Sequence, residues 1–198
     1  MIIDYKKRQI NLKIVYYGPA LSGKTTNLEY IHAHTDPNRR SNLVSLRTAE
    51  DRTLFFDFLQ LELGRVAGLT PIIQLYTVPG QTYYQASRKV VLKGADGIVF
   101  VADSGPERME DNLISWRDLQ SHVREHRLSQ FTPVIIQLNK QDIPNAVSED
   151  NLREELRSGQ LPMVGAAAVL GHGVLETVKM ISGETIRSIQ LRAREKRA

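Results

Sequence analysis

Gly18-Pro19-Ala20-Leu21-Ser22-Gly23-Lys24-Thr25-Thr26 decides the fold, because of what stands on either side of it. Before it runs Ile14-Val15-Tyr16-Tyr17, an apolar stretch suited to a buried strand; behind it Asn27-Leu28-Glu29-Tyr30-Ile31 continues as a helix. Gly, four residues, then Gly-Lys-Thr is the spacing of a phosphate-binding loop. Backbone amides of Gly18 and of Ala20 through Thr26 curl around phosphate oxygens, Lys24 reaches the outer phosphates, and the Thr25 hydroxyl ligates Mg²⁺. A helix opening at Lys24 aims its positive end at the same anion. Gly18 and Gly23 have a physical reason to be there, since such a cradle needs positive φ and close approach of the backbone. The alternative is a Gly/Ser-rich strand-to-helix turn that matches by chance, and the flanking strand and helix argue against it.

Outward from this loop the chain alternates. Gln9 to Tyr17 is the strand that feeds it, and a helix follows to about His34. Turn residues fill Asp36 to Asn42, a short strand is expected at Leu43–Arg47, and longer ones at Leu54–Leu63 and Pro71–Val78. Tyr83–Lys93 reads helical and Gly97–Ala102 as a buried strand. Next come a helix over Glu107–Arg127, a strand at Pro133–Leu138, a helix from about Ser148, a short strand around Pro162–Val164 and a last helix from Gly173. Strands alternating with helices predict an α/β fold, a mostly parallel sheet with helices on both faces, whose ligands bind at the carboxyl ends of the strands.

The 198 residues suit one domain with a proper core, and 41% hydrophobic with 24% charged residues is ordinary for a soluble protein. With no cysteine, disulfides, thiolate metal sites and prenyl or palmitoyl anchors are excluded. Met1-Ile2-Ile3 is not a myristoylation start, and no apolar run approaches the roughly 20 residues that span a bilayer, so a cytoplasmic protein is expected. The net charge of +4 is mild, but Arg187 through Arg197 is rich in Arg and Lys. That reads as a solvated helix end whose cations suit the helix dipole; the sharper alternative is weak contact with an anionic surface. Nothing resembles a nucleic-acid module. His32, His34, His122, His126 and His172 form no metal-like cluster, and Trp116, at helical spacing with Met109, Leu113 and Val123, reads as core.

Asn139-Lys140-Gln141-Asp142 follows the Pro133–Leu138 strand directly. An ionised Asp142 is acceptor-only, and guanine offers it two adjacent donors where adenine has no matching pair. Two charge-assisted bonds of about 1.5–3 kcal/mol each favour guanine by roughly a hundredfold or more. Lys140 lays its stem along the base plane and Asn139 ties this loop to the phosphate loop.

The combination resembles the Ras-like small GTPases from Gln9 onwards, with P-loop NTPase architecture and a Ras-like G domain spanning 1–198. It is similar above all to their bacterial MglA (mutual gliding protein A) branch. Ile14 through Leu28, Asp51-Arg52-Thr53-Leu54-Phe55-Phe56-Asp57-Phe58 and Tyr76-Thr77-Val78-Pro79-Gly80-Gln81 carry that likeness. The resemblance implies GTP hydrolysis to GDP and phosphate in a molecular switch, with switch I at about 36–57, switch II at about 77–93 and a basic C-terminal helix. It implies that Thr53 closes on Mg²⁺ and the γ-phosphate, that the Gly80 amide senses that phosphate, that Gln81 orients the attacking water, and that the Ala168 amide meets the guanine oxygen. Most GTPases carry aspartate where this chain has Thr77; lacking its charge, Thr77 predicts weaker Mg²⁺ retention, a substitution the MglA branch shares. Arg52 resembles an arginine finger supplied in cis, worth about 10³–10⁵ in rate. Adjacent side chains on an extended segment point opposite ways, so Arg52 and Thr53 face the nucleotide together only if switch I refolds, as when a partner binds. Otherwise Arg52 is a solvent-facing loop residue.

Alternation puts Phe56 and Phe58 on one face and Phe55 with Asp57 on the other, so at least one aromatic should be core and the rest suit a partner. By resemblance the regulator is a Roadblock-fold dimer of the MglB type, and the role is control of bacterial cell polarity or motility, with recruitment to a pole or the inner membrane surface. Two other readings are a nucleotide-binding scaffold with negligible hydrolysis, which Thr77 supports, and a small-molecule kinase, to which a guanine-selective loop is foreign.

Overall fold

The computed structural model describes residues 2–46, 56–66, 68–81, 84–126, 128 and 132–195. Arg52 and Thr53, with Phe55, lie outside the described residues, as does the end of the basic tail at 196–198.

Among the described residues eight strands form one sheet: β1 (Ile2–Asp4), β2 (Gln9–Tyr17), β3 (Val44–Leu46), β4 (Phe56–Glu62), β5 (Thr70–Thr77), β6 (Gly97–Asp103), β7 (Val134–Asn139) and β8 (Met163–Gly165). Their order is β3-β4-β5-β2-β6-β7-β8, with β1 paired to β2. From β5 to β8 all pairings are parallel, whereas β3–β4, β4–β5 and β1–β2 are antiparallel. β2 is shared: β1 covers Gln9–Asn11 and β6 begins at Ile14, so different neighbours take the two ends of the same edge. The helices are α1 (Lys24–His34), α2 (Gln85–Leu92), α3 (Met109–Glu125), α4 (Glu149–Leu156) and α5 (Val174–Glu195).

β6 is buried at every residue, as a central strand of a sheet covered on both faces must be. One core packs α1 and α5 on Ile14, Tyr16, Val99, Val101 and Ile135; the other packs α2, α3 and α4 on Val15, Tyr17, Phe100 and Ile136. Trp116 is buried there, its ring edge-on to Phe100 at 4.9 Å between centroids. α4 starts where the sequence provides a cap: the Ser148 hydroxyl accepts from the Asn151 N–H, and Glu149 and Asp150 sit in the first turn. Between the sheet and α1, Asn27 and Gln137 exchange two amide bonds of 2.8 and 2.9 Å, and Gln137 also donates to Thr177 Oγ1 on α5. All three side chains are buried, so α1, β7 and α5 are clamped by a satisfied polar network inside the apolar core.

The expected alternation holds, with shorter ends. Leu54–Leu63 narrows to Phe56–Glu62 among the described residues, and α3 begins at Met109 because Pro106–Arg108 forms a 3₁₀ turn. β1 has no counterpart in the expectations.

Candidate functional site

Among the described residues, the phosphate loop, Pro79–Gln81, Asn139–Asp142 and the Ala168 loop each follow the carboxyl end of a strand, and the sheet brings them to one rim. β2 ends at Tyr17 and delivers the phosphate loop. Gly18 has φ 142, and a Cβ there would stand 2.2 Å from Val101 O; Gly23 has φ 95, and its Cβ would stand 2.1 Å from Asn139 Nδ2. Both positions exclude any side chain. Leu21, between them, has φ 64 and is 82% exposed. Ser22 is buried, and the first helical bond runs from the Asn27 N–H to Gly23 O. The amides of Lys24, Thr25 and Thr26 in the first turn of α1 therefore have no partner within the helix and are directed at the rim. Lys24 is buried and its Nζ donates to Gly18 O at 3.0 Å and Pro19 O at 2.6 Å. Burial, then the charge of Arg88, pushes its amine down to about 7, against the pull of Asp57.

The Thr25 side chain meets Asp57 of β4, which the alternation put on the face away from Phe56 and Phe58. Its hydroxyl donates to Asp57 Oδ2 at 2.6 Å. The β4–β5 register pairs Phe58 with Tyr76, which puts Asp57 opposite Thr77; Thr77 Oγ1 accepts from the Asp57 N–H at 2.8 Å and donates to Asp57 Oδ2 at 2.9 Å. Ser45 donates to Oδ1 at 2.7 Å, and the carboxylate is 8% exposed. A carboxylate thus stands beside Thr77 on the neighbouring strand. Phe56 and Phe58 lie on the opposite face, both half-buried and flanking Tyr76 at 5.8 and 4.9 Å, and Phe56 packs with Tyr76 against the second core, as expected of at least one of these aromatics.

Beside this carboxylate lies a cleft of about 280 Å³ lined by Lys24, Thr25, Asp57, Thr77, Gly80 and Gln81 among others. Gly80 lies so close to the phosphate loop that a Cβ would come within 2.3 Å of Ala20 N. Gln81 is exposed at the mouth. Hydroxyl and carboxylate oxygens are the donors a hard divalent cation takes. Among the described residues no group of three His, Cys, Asp or Glu could hold a metal ion.

At the other end of the rim, β7 delivers Asn139, Lys140 and Asp142. Asn139 Nδ2 donates to Ser22 O at 2.8 Å, and its Oδ1 accepts from the Ala168 N–H at 2.9 Å. One buried side chain thus ties the phosphate loop to two others. Ala168, whose amide the family likeness assigns to guanine, is itself buried and held by this bond. Lys140 has φ 70 and donates from Nζ to Asp103 Oδ2 at 2.6 Å. Asp103, at the end of β6, also faces Arg108, whose Nη2 donates to Ala20 O at 2.9 Å. Asp142 is exposed and lines a cleft of about 440 Å³ with Gln141, Ala167, Leu170 and His172. Asp103 and Arg108 were missed in the sequence, where each stands as a single polar residue outside any motif, and Asp57, though inside the Asp51–Phe58 stretch, was given no role at the site.

A phosphate loop and a base loop held together at one rim of a mostly parallel sheet define a P-loop nucleotide-binding G domain. The chain belongs to the ADP-ribosylation factor family, whose model matches residues 1–185, and is a small GTPase that hydrolyses GTP. It is 50% identical over 182 residues to the mutual gliding-motility protein MglA of Myxococcus xanthus, covering 91% of this chain and 93% of that protein. ADP-ribosylation factor-like protein 6 of Caenorhabditis elegans is 25% identical over 94% of this chain and 92% of its own, and ADP-ribosylation factor-like protein 2 of Drosophila melanogaster 26% over 93% and 92%. Among the described residues no helix is long and apolar enough to cross a membrane.

Proposed function

We propose that the chain is a Mg²⁺-dependent GTP/GDP switch, in which residues 36–57 and 77–93 change conformation with the γ-phosphate while the rest of the G domain stays fixed. The observation that carries this reading is the Thr25–Asp57–Thr77 constellation, which faces the cleft bordered by Gly80 and Gln81. Thr25, with Thr53 from switch I, holds the cation; Asp57 supplies negative charge behind it, so retention is ordinary despite Thr77. When bound, Mg²⁺ neutralises charge on the β- and γ-phosphates. Gly18 through Thr26 bind the phosphates, Gln81 orients water, Arg52 stabilises the charge that develops, and Asn139, Lys140, Asp142 and the Ala168 loop take the guanine. The scaffold reading loses its one support once Asp57 stands beside Thr77.

The likeness to a gliding-motility protein supports a role in cell motility; control of polarity from the cytoplasm, a Roadblock-type dimer as regulator and recruitment to a pole or the inner membrane surface through partners rest on the resemblance read in the sequence. Single-turnover GTP hydrolysis tests the mechanism, using wild type and Arg52→Ala, each alone and with the Roadblock-type partner. The expected result is partner stimulation of wild type and none of the variant. GTP binding without hydrolysis under every condition would return the scaffold reading.

A further inference from the structure

Behind the cleft, outside every motif, lies a second polar cluster. Arg88 on α2 is 4% exposed; its Nε donates to Asp118 Oδ2 on α3 at 2.8 Å, and its Nη1 donates to Gln81 O at 2.5 Å and Pro79 O at 3.4 Å. The same Asp118 oxygen accepts from the Tyr17 hydroxyl at 2.6 Å, one residue before the phosphate loop. Tyr17 has a single proton and gives it to Asp118, so His122, whose Nδ1 is 3.1 Å from that hydroxyl, donates to it as the Nδ1–H tautomer. Burial lowers the His122 pKa and keeps the ring neutral.

The two carbonyls that Arg88 grips are not arbitrary. Pro79 C=O and Gly80 N–H share one planar peptide unit and point in opposite directions from it. Holding that carbonyl from one side therefore fixes the direction of the Gly80 N–H on the other. Gln81 O belongs to the next peptide but one, so the backbone that carries the Gln81 side chain is pinned on both flanks. Arg88 is too deeply buried to reach a nucleotide itself, and what orients its planar fork is Asp118.

We propose that Asp118 is a positioning residue for GTP hydrolysis: through Arg88 it fixes the Pro79–Gln81 backbone and so aims the Gly80 amide and the Gln81 side chain at the γ-phosphate. This rests on the roles given above to Gly80 and Gln81. Switch II is thereby hinged on α3, an element outside both switches.

The test compares wild type with Asp118→Asn, Arg88→Lys and Tyr17→Phe by single-turnover GTP hydrolysis, GTP and GDP affinity, and thermal melting. Asn keeps the shape of Asp118 but loses the charge that orients the guanidinium, and Lys keeps the charge of Arg88 but cannot span Asp118 and both carbonyls. Both variants should hydrolyse GTP on the order of tenfold more slowly and bind GTP several-fold more weakly, with GDP affinity unchanged. Tyr17→Phe removes a bond to the same carboxylate while sparing Arg88, and should lower the melting temperature with little effect on hydrolysis. A merely structural Asp118 would lower melting and weaken GTP and GDP alike with the rate constant intact, and that outcome overturns the proposal. Should Asp118→Asn not fold, Arg88→Lys decides by the same rate constant and affinity ratio. If wild type binds GTP and hydrolyses it independently of Gln81, shown with Gln81→Ala, the fault lies in the role given to Gln81 and the proposal falls with it.

Discussion

Replacing Asp57 with asparagine separates the charge of this side chain from its shape. The carboxylate accepts from three hydroxyls, those of Thr25, Thr77 and Ser45, at 2.6, 2.9 and 2.7 Å. An asparagine oriented with its oxygen toward Thr25 and Thr77 keeps both acceptors, and its amide donates to a Ser45 hydroxyl that is free to rotate. The bonds then survive as neutral ones, weaker by about 1 kcal/mol each, and partial compensation leaves a cost of about 2 kcal/mol, roughly 4–8 °C in melting temperature for a chain of this size. The cation feels the change more sharply. Loss of an outer carboxylate that orients a ligand costs about 10–100-fold in metal affinity, equivalent to about 1.4–2.7 kcal/mol. Release of a fluorescent GTP analogue, followed as free Mg²⁺ is varied, should show the midpoint displaced by that factor in Asp57→Asn, with affinity in excess chelator little altered. Thr77→Asp alone puts a second carboxylate where Thr77 Oγ1 stands 2.9 Å from Asp57 Oδ2, and like charges at that distance force one to hold a proton. Combining Thr77→Asp with Asp57→Thr should recover the wild-type midpoint. An unchanged Mg²⁺ midpoint in Asp57→Asn would refute the reasoning.

Gln137→Leu strands Asn27 in the core without its amide partner and should cost about 3 kcal/mol by chemical denaturation, part of it regained in Asn27→Leu/Gln137→Leu. His122 is held neutral by burial, with Tyr17 on β2, Asp118 and Glu125 on α3, and Arg88 and Lys89 on α2 around it. Its folded pKa lies below the unfolded value of about 6.5, so the unfolded chain binds the proton first; stability is full above that value and falls as pH drops through it. Melting scans should show this loss on the acid side, with a shallower slope in His122→Gln. Gly23→Ala forces a Cβ to within 2.1 Å of Asn139 Nδ2 at a φ of 95°, so it should weaken GTP and GDP together in an equilibrium titration, at a cost of several kcal/mol.

What could be read from the sequence is what local order encodes. Gln9–Tyr17 is a strand because polar and apolar residues alternate to Lys13 and Ile14–Tyr17 then run apolar into Gly18, and Lys24 begins a helix as the spacing of the glycines requires. Asn139 tying the base loop to the phosphate loop followed from the tetrapeptide's place behind a strand and downstream of the phosphate loop. Asp57 did not, because alternation gives a side chain's face but not its neighbour, and its neighbour depends on β4 and β5 pairing with Phe58 against Tyr76. The same holds for Tyr17, Arg88 and Asp118, which are drawn from three elements and meet only once the sheet and helices are stacked. β1 escaped notice for a different reason: three residues are too few to show a period, and Ile2–Asp4 is a strand only because β2 has an edge left over before β6 begins.

Asn139, at the start of the base loop, spends its amide on Ser22 of the phosphate loop and its oxygen on Ala168 of the loop after β8. Choosing a base and gripping a triphosphate are therefore not separate traits in this protein. A lineage drifting toward another nucleotide through this position would surrender phosphate affinity at the same step, and would have to recover it elsewhere before the new preference was of any use. Selectivity here is guarded by linkage, with one side chain answering to both ends of the ligand.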